Sequence, residues 1–251
     1  MQAIVVPKTE TVRIIIAVVA VAVLGGMTDS FGQAAQWSVQ FGSDSFEEGR
    51  SVALDSSGNV YVTGTTIGSL FAAIAGESDA YVAKYDADGN KVWTKQFGSD
   101  LHDGSNNIAL DSSGNVYVTG TTSGSISDTN VGSDDAYVAK YDTDGTEVWT
   151  KQFGNDSLVE GIGVTVDPLG NAYVTGYTRG DLFGTNMGMV DAYVAKYDTD
   201  GTEVWTKQFG SDDRDIGFGI AADSSGNVYV TGHTNGDLFG RNTGTYDIFV
   251  V

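Results

Sequence analysis

The sequence has no cysteine and only two prolines among its 251 residues. Without cysteine the chain can form neither a disulfide framework nor a thiolate metal site. It also lacks a long apolar run, since the eleven residues Ile14–Leu24 fall short of the roughly 20 that a transmembrane helix needs. We therefore expect a domain held together by burial of apolar side chains and by backbone hydrogen bonds.

Basic residues are scarce. The chain has 13 Lys and Arg against 33 Asp and Glu, which gives a formal net charge of −20 at pH 7. An acidic surface repels the phosphate backbone, so nucleic-acid binding is excluded. The same charge would attract cations or basic partners, or serve only to keep the protein soluble.

The first 34 residues differ in composition from the rest of the chain. Lys8 and Arg13 precede the apolar run, and small residues follow it at Gly32–Ala35. This order is typical of a secretory signal peptide. We predict a signal peptide over residues 1–34 and a secreted mature chain, extracellular or in the periplasm or cell envelope. The alternative is an uncleaved membrane anchor, for which the run is too short, so no membrane span is expected after cleavage.

A repeat of 56 residues organises the remainder. The chain has four tryptophans, and each lies 56 residues from the next: Trp37, Trp93, Trp149 and Trp205. Residues 135–154 and 191–210 are identical. A fixed period in this range is the signature of a repeat architecture, in which each unit packs against the next.

Each repeat contains four short runs rich in Val, Tyr, Trp, Phe and Thr, which favour β-strands. Asp55–Asn59 and Asp86–Asn90 connect two pairs of runs in the first repeat and have the composition of tight turns. The run at 80–86 is apolar on both faces, as in a strand that is covered on both sides. The pattern predicts an all-β protein, a β-propeller of four-stranded antiparallel blades over residues 35–251.

The predicted blades cover 51–97, 105–153, 161–209 and 217–251, with 36–41 completing the last blade. Residues 36–41 match the fourth strand of a repeat, so pairing with the last blade would close the ring. Two alternatives stay open: an unclosed fragment, or two chains that combine into eight blades. A closed ring would make the chain a monomer, and the eight-bladed pair would make it a homodimer.

The string GNVYVTGTT, followed by a variable loop and DAYVAKYDADGNKVWTKQFG, resembles the SBBP repeat, which is named after seven-bladed β-propellers. The resemblance covers residues 36–251, and the DSSGNVYV portion is distantly similar to NHL repeats. It implies a β-propeller in an extracellular or cell-envelope bacterial protein. It implies no general enzymatic activity, and the four repeats differ from the seven blades of the family name.

The longer connections of the repeats are the candidate binding surface, because loops on a rigid scaffold often carry function. These are the inner loops 66–79, 122–135, 178–191 and 234–247 and the links between blades. The candidate ligand-binding residues are Asp44, Asp100, Asp156, Asp212, Arg179, Phe183, Phe239 and Arg241. The alternative for the phenylalanines is that they hold each loop onto its blade, and the alternative for the aspartates is that they bond turn amides.

No catalytic constellation is apparent, and we predict neither catalytic residues nor a metal site. His102 and His233 do not recur at equivalent positions, and both are predicted to be surface loop residues. The favoured function is a non-catalytic scaffold that binds an unknown protein or carbohydrate ligand without a cofactor. The alternatives are a repeat protein stabilised by Ca²⁺, for which the recurring aspartates could supply oxygen ligands, or a propeller enzyme, either a hydrolase or a quinone-dependent dehydrogenase.

Overall fold

A computed structural model describes residues 36–251, so the predicted signal peptide at 1–34 lies outside the described residues. Residues 36–251 form fifteen β-strands and include no helix that could cross a membrane. The strands are β1 Glu47–Leu54, β2 Val60–Thr66, β3 Asp79–Tyr85, β4 Lys91–Phe97, β5 Asp103–Leu110, β6 Val116–Thr122, β7 Asp135–Tyr141, β8 Glu147–Phe153, β9 Val159–Val166, β10 Ala172–Thr178, β11 Asp191–Tyr197, β12 Glu203–Phe209, β13 Asp215–Ala222, β14 Val228–Thr234 and β15 Asp247–Val250.

The strands form four antiparallel sheets, one for each repeat. The first three sheets have four strands in chain order, β1 to β4, β5 to β8 and β9 to β12, and the fourth has the order β13-β14-β15. The all-β class and the division into one propeller-like sheet per repeat are therefore confirmed. Short turns explain the antiparallel pairing of the first strand with the second and of the third with the fourth, whereas the second and third strands pair across the long inner loop.

The first strand of each sheet begins at an earlier residue than the sequence predicted. These strands start at residues 47, 103, 159 and 215, whereas the predicted blades start at 51, 105, 161 and 217. The first residues of β1 are polar or glycine, so they show no apolar alternation. A bulge between Gly49 and Ser51 also interrupts the register with β2, and such a bulge hides the two-residue period of a strand.

One recurring glycine allows the bulged strand to approach its neighbour. A Cβ added at Gly64 in β2 would lie only 1.8 Å from the backbone oxygen of Glu48. The equivalent glycines of the other sheets, Gly120, Gly176 and Gly232, meet backbone oxygens just as closely. Only glycine leaves room for this contact. This explains why the string Val-Thr-Gly recurs in the second strand of every sheet.

The core lies between the sheets. Both faces of β3 are buried, and only Lys84 is partly exposed. Tyr61 and Val82 of the first sheet pack with Ile108 and Tyr137 of the second, and the same arrangement recurs between the second and third sheets. This confirms the prediction of strands covered on both sides. The second and third sheets thus each present one apolar face to the sheet before them and another to the sheet after them.

The fourth sheet differs from the prediction. Residues 36–41 were expected to complete it as a fourth strand, yet they form no strand, and the sheet has three. The segment lies against the first sheet, where Phe41 packs on Tyr81 and Tyr85. Within residues 36–251, extensive contacts between sheets join consecutive sheets, and none joins the first to the fourth. The segment keeps its packing contacts because they are made with the first sheet, which follows it directly in the chain, whereas pairing with β15 requires the first and fourth sheets to meet.

Candidate functional site: the loop end of the sheets

The long connections gather at one end of the sheets, which we call the loop end. It comprises the inner loops between the second and third strands and the links between sheets. Parallel bridges join each inner loop to the following link, at Ser78–His102, Asp134–Leu158 and Val190–Arg214. The short turns lie at the opposite end, which we call the hairpin end.

A glutamine from the fourth strand fastens each inner loop. In the second sheet Gln152 Oε1 accepts hydrogen bonds from the backbone N–H groups of Ile126, at 3.0 Å, and Ser127, at 3.4 Å. Its Nε2 donates to Gly124 O and to Asp135 Oδ2, both at 2.9 Å. Gln96 and Gln208 make the corresponding bonds in the first and third sheets. We call this arrangement the Gln–Asp clamp, and it holds variable loops on an invariant frame.

The aspartates of the clamp are buried. Asp79, Asp135 and Asp191 are at most 1% exposed. Asp103 lies close to Asp79, since a Cβ at Gly98 would come within 3 Å of an oxygen of each. Burial raises the pKa of Asp103, hydrogen bonds from Thr122 and Ser99 oppose this, and the charge of Asp79 raises it further. These carboxyl groups position the loops and are shielded from ligands.

The recurring phenylalanines pack beneath the loops. The ring of Phe183 is half-buried and lies 5.8 Å from the rings of both Phe153 and Tyr193. Phe239 contacts Phe209 and Phe249 at 6.3 and 6.2 Å but is 61% exposed. Phe183 therefore anchors its loop, which was one of the two roles considered for it. Phe239 combines this contact with a surface open to solvent.

The remaining candidate residues are exposed but dispersed. Asp44 precedes β1, and one aspartate lies on each link between sheets, at positions 100, 156 and 212. Arg179 lies on the third inner loop. Arg241 and Phe239 line a cleft of about 320 Å³ beside Asp247 and β15. Among residues 36–251 no group of three or more acidic or histidine side chains is placed to hold a metal ion. The structure thus brings Phe239 and Arg241 together and leaves the four aspartates apart.

The aspartates of the hairpin end stabilise turns. Asp167 Oδ1 accepts from the backbone N–H groups of Leu169 and Asn171, at 2.9 and 3.0 Å. Its Oδ2 accepts from Asn171 Nδ2 and the Tyr173 hydroxyl, at 2.8 and 2.9 Å. Asp55, Asp111 and Asp223 repeat these bonds. All carboxylate oxygens of this set already have donors, which agrees with the prediction that Asp55–Asn59 forms a tight turn.

A further cleft of about 530 Å³ lies at the hairpin end between the first two sheets. Its lining includes Asp55, Tyr61, Lys84 and Asp111. Their polar groups are already engaged, since the aspartates bond their turns and Lys84 Nζ donates to Thr143 O at 3.3 Å. The hairpin end is therefore a weaker candidate for recognition than the loop end.

Sequence reasoning singled out Phe239 but missed the other exposed apolar residues of the loop end. Eight large apolar or aromatic side chains on the described loops and links are at least 41% exposed: Phe46, Ile67, Leu101, Val131, Met187, Met189, Phe239 and Tyr246. The turns of the hairpin end contribute one, Leu169. The signal was present in the sequence, because Val131, Met187 and Met189 occupy positions where the repeats differ. Isolated apolar residues in a loop do not form a periodic pattern, so the search for strands passed over them.

A polar cleft of about 280 Å³ also opens at the loop end. Arg50, His102, Asn106, Asp134 and Glu160 are among its lining residues, and they come from the first three sheets. His102 Nε2 lies 2.6 Å from Glu77 Oε2, and this pair is largely exposed. The cleft offers donors and acceptors of both charges beside the apolar side chains. The loop end can therefore make both kinds of contact with a partner.

His233 does not lie on a loop as the sequence indicated. It belongs to β14, where it pairs with Ile216 and lies against the rings of Phe218 and Tyr246. Burial and the charge of Arg214 lower its pKa, while Asp215 opposes this effect. The error arose because His233 takes a position that is Thr or Tyr in the other repeats, so its polar side chain suggested a loop.

Comparison with known families agrees with this architecture. The model of the SBBP family, described as a beta-propeller repeat, matches four segments at 36–72, 92–126, 148–184 and 204–240. The chain belongs to the SBBP beta-propeller repeat family. Each SBBP match in this chain begins near a tryptophan and continues through the Gly-rich strand into the inner loop. The resemblance identified from the repeated strings is thereby confirmed.

Two curated proteins are similar to this SBBP chain. An uncharacterized WD repeat-containing protein, L264 of Acanthamoeba polyphaga mimivirus, is 26% identical over 185 residues, which is 58% of this chain. The regulatory protein FlaEY of Caulobacter vibrioides is 29% identical over 190 residues, which is 67% of this chain. The chain spans only 13% and 19% of the lengths of these relatives.

Solved structures also show partial likeness to the SBBP chain. A protein of unknown function from Bacteroides caccae has a TM-score of 0.46 and 14% identity, covering 77% of this chain and 56% of that one. A luciferin-regenerating enzyme has a TM-score of 0.38 and 15% identity, covering 73% of this chain and 52% of that one.

Proposed function

We propose that the chain is a secreted scaffold that binds a partner protein through its loop end, without chemistry of its own. The observation that carries the proposal is that eight exposed apolar side chains lie on the loops and links of that end, against one on the turns of the hairpin end. Exposed apolar groups rimmed by polar residues are typical of protein interaction sites. Methionine suits such a surface because its flexible side chain adapts to different partners.

The Gln–Asp clamp supports this proposal. It bonds the loop backbone at several points, so the variable residues are presented from a fixed frame. Preorganised loops lose less conformational entropy when a partner binds. The names of the relatives, a WD repeat-containing protein and a regulatory protein, are compatible with an interaction role. A carbohydrate ligand, which the sequence left open, is less suited to the exposed aliphatic side chains than a protein.

The candidate residues take defined places in this proposal. Phe239 and Arg241 contribute an aromatic face and a cation beside the cleft of the fourth loop. Arg179 and the exposed aspartates Asp44, Asp100, Asp156 and Asp212 form the polar surroundings of the apolar contacts. The role needs no cofactor, so we expect the same melting temperature with calcium and with a chelator.

A peptide selection tests the binding role. We would select a phage-displayed random peptide library on the immobilised chain and measure the affinity of enriched peptides by calorimetry. The double variant Met187→Ser, Met189→Ser should weaken binding at least about tenfold, since each buried apolar side chain contributes roughly 1.5–3 kcal/mol. Leu169→Ser, at a residue that is even more exposed but lies at the hairpin end, is the control. Equal losses in both variants, or a loss only in the control, would contradict the proposal.

Secretion rests on the basic, apolar and small-residue order of residues 1–34. Expression of the full chain in a Gram-negative bacterium should release a product into the periplasm or medium that begins near Ala35. N-terminal sequencing of that product measures the cleavage site. A full-length product retained in the cytoplasm or membrane would rule out an exported, processed chain.

A further inference from the structure

The fourth sheet exposes a face that the other three sheets bury. In the first sheet Tyr61, Ala80 and Val82 form the face that receives the second sheet, and each is fully buried. The equivalent residues of the fourth sheet, 168 positions later, are Tyr229, Ile248 and Val250. They are 49%, 84% and 69% exposed. We call them the acceptor face, because the same positions receive a following sheet three times within this chain.

The first sheet exposes part of the complementary face. Ile108 of the second sheet packs into the first sheet and is 5% exposed, whereas its equivalent, Val52, is 40% exposed. Leu54 beside it is 51% exposed. The chain therefore has a free acceptor face at one extreme and a partly free complementary face at the other. The three internal contacts show what kind of surface each face is built to meet.

Residues 36–41 lie against the first sheet as a fourth strand from a preceding repeat would. Trp37 Nε1 donates to Ala87 O at 2.9 Å, just as Trp93 Nε1 donates to Thr143 O at 3.0 Å across the next contact between sheets. Phe41 packs on Tyr81 as Phe97 packs on Tyr137. In the other repeats this strand also pairs with the third strand of its own sheet. The segment thus makes its contacts with the following sheet and lacks its own sheet.

The fourth inner loop lacks its clamp. In the first three sheets a glutamine occupies the space between the loop and its buried aspartate. At the fourth loop this space is the cleft of about 320 Å³ lined by Phe239, Asp247 and Phe249. The repeat places Gln40 at the clamp position, and its side chain is exposed. A surface that carries Gln40 would therefore complete the cleft.

We propose that the acceptor face binds the first sheet of a second copy of this chain, whose residues 36–41 pair with β15. The register follows from the first sheet, where Ala80 pairs with Phe97 and Val82 with Lys95. It places Ile248 opposite the partner's Phe41 and Val250 opposite the partner's Val39. The partner's Gln40 then reaches Asp247 and the amides of the fourth loop.

Two such contacts close the assembly. Each copy offers one acceptor face and one first sheet, so two copies satisfy both and leave neither free. A contact between different surfaces closes into a ring when the rotation allows it. Two copies of four sheets give eight, within the four to eight blades that propellers usually have. The net charge of −20 on each copy opposes association, so the dimer should tighten as salt rises.

Light scattering on the purified full chain tests the assembly. A discrete species of twice the chain mass is expected, and Ile248→Asp should weaken its association at least about tenfold, because the charge would be buried. Val148→Asp is the matched control, since Val148 is 53% exposed on the outer strand of the second sheet, away from both faces. The control should remain a dimer, and circular dichroism should show both variants folded. A monomer at all concentrations, or an open-ended series of assemblies, would overturn the proposal.

A cross-link tests the register and the identity of the occupant. The chain has no cysteine, so Val39→Cys and Val250→Cys each introduce a unique thiol. Opposite residues on antiparallel strands are close enough to permit a disulfide. Mixing and oxidising the two single variants should yield a 39–250 disulfide between chains, identified by mass spectrometry of the linked peptides. A chain that carries both substitutions could instead form the disulfide within itself. That result would show that the acceptor face receives the chain's own first sheet and would contradict binding of a second copy.

Discussion

At the residue scale, the role of the turn aspartates could be predicted from the sequence, whereas the role of the clamp glutamines could not. The turn role of Asp55 and its equivalents was predictable, because an aspartate that opens an Asp-Ser-Ser-Gly-Asn string bonds its own turn. The clamp role of Gln152 was not, because its partners lie 17 to 28 residues away in the chain. In sequence it is one polar residue in an alternating strand, which normally means a side chain facing solvent.

The turn aspartates make the free energy of unfolding depend on pH. Burial raises the pKa of Asp167, but hydrogen bonds from Asn171, Tyr173 and Leu169 outweigh this and hold it below the ordinary value of 3.8. The stabilisation is present above 3.8 and is lost as the pH falls through the folded-state pKa. Asp167→Asn should lower the free energy of unfolding at pH 7 by about 1–3 kcal/mol, since two donors lose their acceptor.

Urea denaturation across pH checks this prediction, and the deficit of Asp167→Asn should shrink as the pH falls below about 3.8. Asp200→Asn removes the same charge from an exposed turn position and should change stability little. A constant deficit at every pH would show that the carboxylate charge is not what stabilises the turn.

At the element scale, the strands were predictable and the loops were not. Val, Tyr and Thr mark the middle strands of each sheet, and paired turn residues bound them. The start of β1 was misplaced, because Glu47 and Gly49 interrupt the apolar pattern and a bulge shifts the register. The shape of the inner loops depends on the clamp, which joins two elements distant in sequence, so no local pattern reports it.

The clamp should control the rigidity of the inner loop. Gln152→Ala removes both acceptor and donor, so two loop amides lose their partner and Asp135 keeps only the hydrogen bond from the Val131 backbone N–H. We expect a loss of about 1–3 kcal/mol in the free energy of unfolding. Hydrogen exchange at Ile126 and Ser127 should accelerate. Thr150→Ala, on the same strand but bonded only to the exposed Glu147, is the control and should leave those amides protected. Unchanged exchange in Gln152→Ala would show that the loop holds its shape without the clamp.

At the scale of the whole molecule, the sequence indicated four repeats and left their closure open. The repeat count follows from the tryptophan spacing, whereas closure depends on the angle between sheets, which arises from the packing of many side chains. The tryptophans show how the sheets are fastened. Trp149 is 9% exposed, and its Nε1 donates to Thr199 O of the next sheet at 3.0 Å. Trp205 occupies the same position on the third sheet and is 36% exposed.

These two tryptophans should differ in their contribution to stability. Trp149→Ala should cost roughly 3–5 kcal/mol, because it removes a buried indole between two sheets. Trp205→Ala should cost clearly less, since its packing is confined to Tyr173 and neighbouring groups of the third sheet. Thermal and urea unfolding of both variants would measure the difference. Equal losses would mean that the indole stabilises its own sheet rather than the contact between sheets.

The identity of residues 135–154 and 191–210 has a consequence for how the chain reaches this structure. The two segments carry the same strands, so during folding β7 can pair where β11 belongs at no local energetic disadvantage. Exchange of equivalent elements is a characteristic failure of repeat proteins. The protein can distinguish the two arrangements only through the residues flanking each copy. Refolding from urea should therefore populate a misregistered species that converts slowly to the native state, and a few substitutions in one copy should abolish that slow phase.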